Sequence, residues 1–278
     1  MNPDEIETSG AALNPPASAA QLQELEESLG CTLPQDLRAL YLQHNGMAER
    51  GDLPFRLMST KEVVRTYRKF RGEEFVSEEI RFFWTDDESD YAALYVSGPA
   101  AGRVCVLGHE EVDFSPVFRS VASFYRALIA AAARGQDAYE MLETPGGPEP
   151  EGSPQEQAAD LALAEHFFAR YATEVDPDAR QRHAFAGMQL LPKSESHRLL
   201  DWLRAEDMWI QERACTLLGR RGYTAAIPAL AEVARTGKHN GRVAALVALR
   251  DFGIAADQEV AQLRKELEPQ WLIYLRPR

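Results

Sequence analysis

A chain of 278 residues, 45% hydrophobic and 26% charged, is long enough for two modest domains and has the make-up of a globular protein. It has no apolar run near the roughly 18 residues of a membrane span, and three scattered cysteines, Cys31, Cys105 and Cys215, exclude a disulfide framework. The formal charge of −13 is lopsided: residues 1–150 carry 25 Asp+Glu against 13 Lys+Arg, a net of −12, which argues against nucleic acid as a partner and favours a basic surface.

The acidic start, MNPDEIETSG, has neither the basic residues nor the apolar stretch of a signal peptide, so a cytoplasmic protein is expected. The first dozen residues read as a loose tail. Ser18 with Gln21 forms a capping box, Leu22, Leu25 and Leu29 recur at helical spacing, and Gly30 is placed to end that helix. Pro34 is expected in the first turn of the next helix, where its missing N–H costs nothing, with Asp36 near the positive end. Leu37, Leu40 and Tyr41 supply its buried stripe. Asn45-Gly46, both tolerant of a left-handed backbone, are expected to stop it and turn the chain.

Shorter runs follow. PFRLMS (54–59) alternates like a strand, and TKEVVRTYRKF (60–70) is helical. IRFFWTD (80–86), YAALYVS (91–97) and RVCVLG (103–108) are rich in aromatic and β-branched residues and are separated by turn formers, so they are predicted as successive antiparallel strands. SPVFRSVASFYRALIAAAAR (115–134) is predicted as one long amphipathic helix. Helices around such strands make an α+β domain over 13–142. ETPGGPEPEGSP (143–154) has Pro and Gly but no apolar anchor, and is predicted as a linker.

Residues 155–278 contain no convincing strand, and they repeat faintly. ERACTLLGRRG (212–222) and RVAALVALRDFG (242–253) superpose at a shift of 31, bringing Ala214 onto Ala245, Leu218 onto Leu249 and Gly222 onto Gly253. Each is followed by another helical run, AAIPALAEVAR and DQEVAQLRKELE. A weaker earlier pair spans DARQRHAFAGMQL and ESHRLLDWLRA. Paired helices at this period predict an all-α solenoid, with an irregular helical bundle as the alternative.

The ordered set Pro16-Ala17-Ser18, Leu22, Leu25-Glu26, Leu29-Gly30, Leu33-Pro34-Gln35-Asp36-Leu37, Leu40-Tyr41 and Asn45-Gly46 resembles the SUKH superfamily, in its Smi/Knr branch. The strand order and the SFYRALI helix extend the likeness over roughly residues 13–134. The resemblance implies an α+β fold with an antiparallel or mixed sheet, and a binding role: bacterial members are regarded as immunity proteins that neutralise toxins, often nucleases. It implies no catalytic position. The paired helices at 157–268 resemble HEAT-type repeats more loosely, because Gln258 and Glu259 depart from the pattern set by Ile227 and Pro228.

Chemistry-bearing motifs are scarce. There is no G-x-S-x-G, H-E-x-x-H, C-x-x-C or P-loop, and GKHNG (237–241) lacks phosphate-cradle spacing. The six histidines are isolated. His109-Glu110-Glu111 are adjacent residues that point in different directions, so no metal or other cofactor is expected. Three acidic clusters stand out: Glu73, Glu74, Glu78 and Glu79; Asp86, Asp87, Glu88 and Asp90; Glu110, Glu111 and Asp113. All lie between regular elements, where binding residues concentrate, and would form a negative rim if the loops gather on one side. The competing reading is a set of solvated loops. Phe82, Phe83 and Trp84 are consecutive, so either Trp84 is exposed beside the acids as an interface anchor or the strand is covered on both faces. The expectation is a non-enzymatic binder of a basic protein partner, with an adaptor that uses its helical repeats as the alternative.

Overall fold

The computed structural model describes residues 9–73, 76–109, 113–144, 147–149 and 151–276. The chain divides into two compact units, residues 1–144 and 145–278.

In the first unit, α1 (Ala19–Leu29) opens with the reciprocal Ser18–Gln21 capping box and closes on Gly30 in the left-handed region (φ 66°). Leu22, Leu25 and Leu29 are buried. The second helix, α2 (Gln35–Gln43), has Pro34 at its N-cap rather than inside its first turn, and it buries Leu37, Leu40 and Tyr41. It stops at His44, whose backbone is extended. Of the Asn45-Gly46 pair only Gly46 is left-handed (φ 74°). Asn45 acts as a tie: its N–H donates to the Pro15 carbonyl, its own carbonyl accepts from Asn14 Nδ2, and its Oδ1 accepts from the Thr60 N–H at 2.9 Å. The corner therefore joins the chain entering α1 to the start of α3 (Thr60–Phe70).

Residues 9–13 are not the expected loose tail. The Asp52 N–H donates to the Ser9 carbonyl, Ala11 is buried, and β1 (Ala12–Leu13) pairs antiparallel with β2 (Met47–Glu49). Strands of two and three residues leave no periodicity to read.

The larger sheet contains β3 (Arg56–Leu57), β4 (Ile80–Thr85), β5 (Tyr91–Tyr95) and β6 (Val104–Leu107), in that spatial order and antiparallel throughout. A bulge interrupts β4: Phe82 pairs with Ala93 but Trp84 pairs with Ala92, leaving Phe83 as the extra residue. Adjacent residues of β5 face opposite ways, so the bulge sends Phe82 and Trp84 to opposite faces. Phe82 lies 4.9 Å, centroid to centroid, from Phe70 of α3. Trp84 lies 5.1 Å from Phe124 of α4 (Val121–Ala132). Helices thus cover the sheet on both sides. The helix α4 starts six residues later than predicted, because Phe118 still bridges Val104 in extended form and Ser120 is the cap. A short α5 (Ala138–Leu142) follows.

The described residues of the second unit form only helices and turns. The first, α6 (Pro154–Thr173), is capped by Ser153 and Glu156, so the helix absorbs the last residue of the predicted linker. Then come α7 (Pro177–Leu190), a 3-10 turn (Lys193–Arg198) and the single-turn α8 (Leu199–Trp202), shorter than the predicted helix there. The repeat is carried by α9 (Met208–Arg220), α10 (Ile227–Thr236), α11 (His239–Asp251) and α12 (Asp257–Glu266). Ala214, Ala245, Leu218 and Leu249 are all fully buried, and Gly222 and Gly253 are both left-handed. A 3-10 turn then leads into the next helix in each case. Helices α9 and α11 approach closely: a Cβ on Gly219 would stand 2.8 Å from the Ala248 methyl. A closing 3-10 turn (Pro269–Leu275) brings Trp271 beneath the Arg242 guanidinium at 3.9 Å. Among the described residues no helix is long and apolar enough to cross a membrane.

Candidate functional site

The β4–β5 connection is built by its own carboxylates. Asp86 Oδ1 accepts three backbone N–H groups, from Glu88, Ser89 and Asp90, at 2.9–3.1 Å. This organises the turn. Asp87 is the one described non-glycine residue with positive φ (71°), and the unusual backbone aims its carboxylate at Arg56, with Nε at 2.7 Å and Nη2 at 2.6 Å. Arg56 also reaches Glu62 at 2.9 Å and the Met47 carbonyl, and its side chain is 11% exposed. Burial works against the Arg56 charge, but the hydrogen bonds it donates to Asp87 and Glu62 outweigh it and hold its pKa above the ordinary value. Burial likewise raises the Glu62 carboxyl, and hydrogen bonds from Arg56 and Ser59 reverse this to a net lowering. Asp90 Oδ1 accepts the His109 N–H at 2.9 Å and meets His109 Nδ1 at 2.8 Å, tying the turn to the chain leaving β6. The Glu88 carboxylate is exposed and has no hydrogen-bond partner among the described residues.

The first cluster and the 86–90 turn sit at opposite ends of β4. Glu73 and Glu78 are exposed, and Glu79, through its carbonyl, accepts from the Val96 N–H at 2.7 Å at the start of β4. The turn at 86–90 lies at the other end of that strand, about 17 Å away at the usual rise per residue. Asp113 folds onto Ser115, accepting from its N–H and hydroxyl, and the neighbouring Phe114 carbonyl accepts from the hydroxyl of Tyr95, the residue paired with Ile80. Glu74, Glu110 and Glu111 lie outside the described residues. The bulged strand β4 stands between Glu79 and the 86–90 turn.

Trp84 is corrected outright as a surface anchor. It is fully buried, and its Nε1–H donates to the Tyr125 hydroxyl at 3.3 Å. The bulge at Phe83 provides the second covered face.

These geometries, ordered from Pro16 through the capped helices to the body of α4, coincide with one finding. Residues 16–127 match the SMI1 / KNR4 family (SUKH-1). The first unit carries a SUKH-1 domain. A search of the curated proteins gives no match.

Within the SUKH-1 domain, the buried reactive groups are quiet. Desolvation pushes the Cys105 thiol well above its ordinary pKa and lowers that of His44, which is buried with Nδ1 on the Gly46 carbonyl. Among the described residues no group of three or more His, Cys, Asp or Glu could hold a metal ion. In the second unit a cleft of about 510 Å³ is lined by Arg235, Arg242, Glu266 and Trp271 among others. Its Arg235 is already matched by Glu266 at 2.7 Å and Glu259 at 3.7 Å. One charged surface of the SUKH-1 domain escaped the sequence reading: the outer side of α3 is basic. Its signal is present in the sequence, since Lys61, Arg65, Arg68 and Lys69 fall on one helical stripe within a half of the chain that is otherwise rich in acid.

Proposed function

We propose that the protein is a non-enzymatic, cytoplasmic binding protein of the immunity type, which neutralises a cognate toxin by covering it. The match to the SUKH-1 family over residues 16–127 is the observation that carries this reading. The net charge of −12 in residues 1–150 suits a basic partner such as a nuclease, and favours rapid encounter. The 86–90 turn supports the same reading, because its carboxylates are held in place before any partner arrives, which lowers the ordering cost of binding. Glu73, Glu78, Glu79 and Asp113, with Glu74, Glu110 and Glu111, would contribute long-range charge more than direct contact. The paired helices of the second unit are proposed as HEAT-type repeats that extend or brace the contact surface. An adaptor function is the second reading; it is favoured by Met208 and Trp209, 37% and 46% exposed at the start of α9.

The test is association of the full chain with a purified toxin encoded beside it, followed in real time. In the variant carrying Asp86→Asn, Glu88→Gln and Asp90→Asn, each new side chain still accepts hydrogen bonds, so charge alone is removed. The association rate is expected to fall about tenfold at low salt. Absence of binding by the unaltered chain would reject the immunity reading, and an unchanged rate would reject the acidic turn's part in it.

A further inference from the structure

The helix α3 is charged opposite to the domain that carries it. Lys61, Arg65, Arg68 and Lys69 are all exposed, and the spacing i, i+4, i+7, i+8 puts them on one side of the helix; Arg71, at its C-cap, adds a fifth cation. Together they are five of the 13 Lys+Arg among residues 1–150. Among the described residues none of the five has an ion pair with a carboxylate.

Two acids near this stripe, Glu62 and Glu26, are committed elsewhere. Glu62, the only acid of the helix itself, is held by Arg56 and Ser59. Helix α1 packs against α3, and its Glu26 is taken by Arg38 at 2.7 Å and by the Leu33 N–H. Helix stability explains only part of the pattern. Cations in the last turn, Arg68 and Lys69, complement the negative end of the dipole, but Lys61 sits in the first turn, where a positive charge is disfavoured. Helix stability therefore does not account for Lys61.

We propose that Lys61, Arg65, Arg68 and Lys69 form a docking surface for an acidic segment of a protein partner. Charge complementarity selects the sign. The choice of protein over nucleic acid follows from two features. The rings at this surface are already covered: Arg81 lies 4.8 Å from the Tyr67 centroid and Arg71 6.0 Å, while Lys69 lies 5.0 Å from Phe70 and 6.0 Å from Tyr91. A base that stacked on Tyr67, Phe70 or Tyr91 would have to compete with these cations. The net −12 around the stripe also repels a long polyphosphate, whereas a short acidic segment spans only the roughly 12 Å from Lys61 to Lys69. This inference does not rest on the immunity reading, since it concerns a partner region of the opposite charge from the one the 86–90 turn would meet.

The test uses the full-length protein and a fluorescein-labelled oligo-glutamate of about ten residues, with binding followed by anisotropy at about 20 mM and about 200 mM salt. The unaltered chain is expected to bind at low salt and to weaken at high salt. The K61E/R65E/R68E/K69E variant is expected to lose about tenfold or more in affinity with an unchanged circular dichroism spectrum, because all four side chains are exposed. The corresponding glutamine variant serves as the readout should charge reversal unfold the helix. No binding by the unaltered chain at low salt, or equal binding by the glutamine variant, would overturn the proposal. Tighter binding of a DNA duplex than of the peptide would also overturn it, as would dimers of the unaltered chain that the variant abolishes, which would make a second copy the occupant.

Discussion

Arg56 and Asp87, 31 residues apart in the chain, are joined by a two-pronged ion pair that locks the β4–β5 turn to the edge strand β3. Glu62, in the first turn of α3, completes the arrangement from the other side of the guanidinium. Replacing Arg56 by Met leaves two carboxylates facing each other without a cation and is expected to destabilise the first unit by about 2–3 kcal/mol. Asp87→Asn should cost under about 1 kcal/mol, because that carboxylate is 44% exposed and well screened. Urea denaturation of the two variants checks the order.

The corner at Gly46 is closed to any side chain. A Cβ there would lie 2.6 Å from the Met58 carbonyl carbon and the Ser59 nitrogen, in a backbone with φ of 74°. Gly46→Ala is expected to lose about 2–4 kcal/mol. Gly30→Ala, also left-handed but with nothing within 4 Å, should lose only about 1 kcal/mol, which thermal unfolding distinguishes.

Trp84 belongs to the core, so Trp84→Leu should destabilise the unit by roughly 2–4 kcal/mol and leave the Tyr125 hydroxyl without its donor. A partner that binds at the 86–90 turn should retain its association rate with any of this variant that remains folded. Chemical denaturation combined with real-time binding checks both halves.

His44 links stability to pH. Burial lowers its folded pKa below the unfolded value, so the unfolded chain binds the proton first. The contribution is fully present above the ordinary histidine pKa of about 6.5 and is lost as pH falls from there toward the folded value. The unaltered chain is expected to lose stability over this window. His44→Asn, which can still donate to the Gly46 carbonyl, should lose less, as melting temperatures at a series of pH values will show.

Gln211 bridges two loops of the helical unit, donating to the Leu203 carbonyl at 2.7 Å and accepting the Lys238 N–H at 2.8 Å. It fits because residue 241 is glycine: a Cβ there would stand 2.1 Å from Gln211 Oε1. Gln211→Leu orphans both backbone groups and is expected to lose about 1–3 kcal/mol, measured by urea unfolding.

Local signals carried most of the element boundaries. The capping pair Ser18–Gln21 acts across three residues, and buried stripes such as Leu22, Leu25 and Leu29 repeat within a turn or two, so neighbouring residues alone define them. The 31-residue repeat was equally visible, because Ala214 and Ala245 answer the same packing demand. Where the sequence misled, the deciding partner was distant. Phe118 stayed extended because Val104 holds it, and Ala12 joined a strand because Glu49 lies opposite.

The candidate surface was legible in kind, as runs of acid between strands, but not in arrangement. Sequence by itself determined most helix starts and stops, the longer strand segments, the helical character of the second half and the excess of negative charge. Tertiary structure alone decided that the bulge at Phe83 would bury Trp84, that Arg56 would reach Asp87, and that β4 would stand between Glu79 and the 86–90 turn. Caps and periodicity are settled by hydrogen bonds and burial within a few residues, whereas register and ion pairing depend on which remote segments the core brings together.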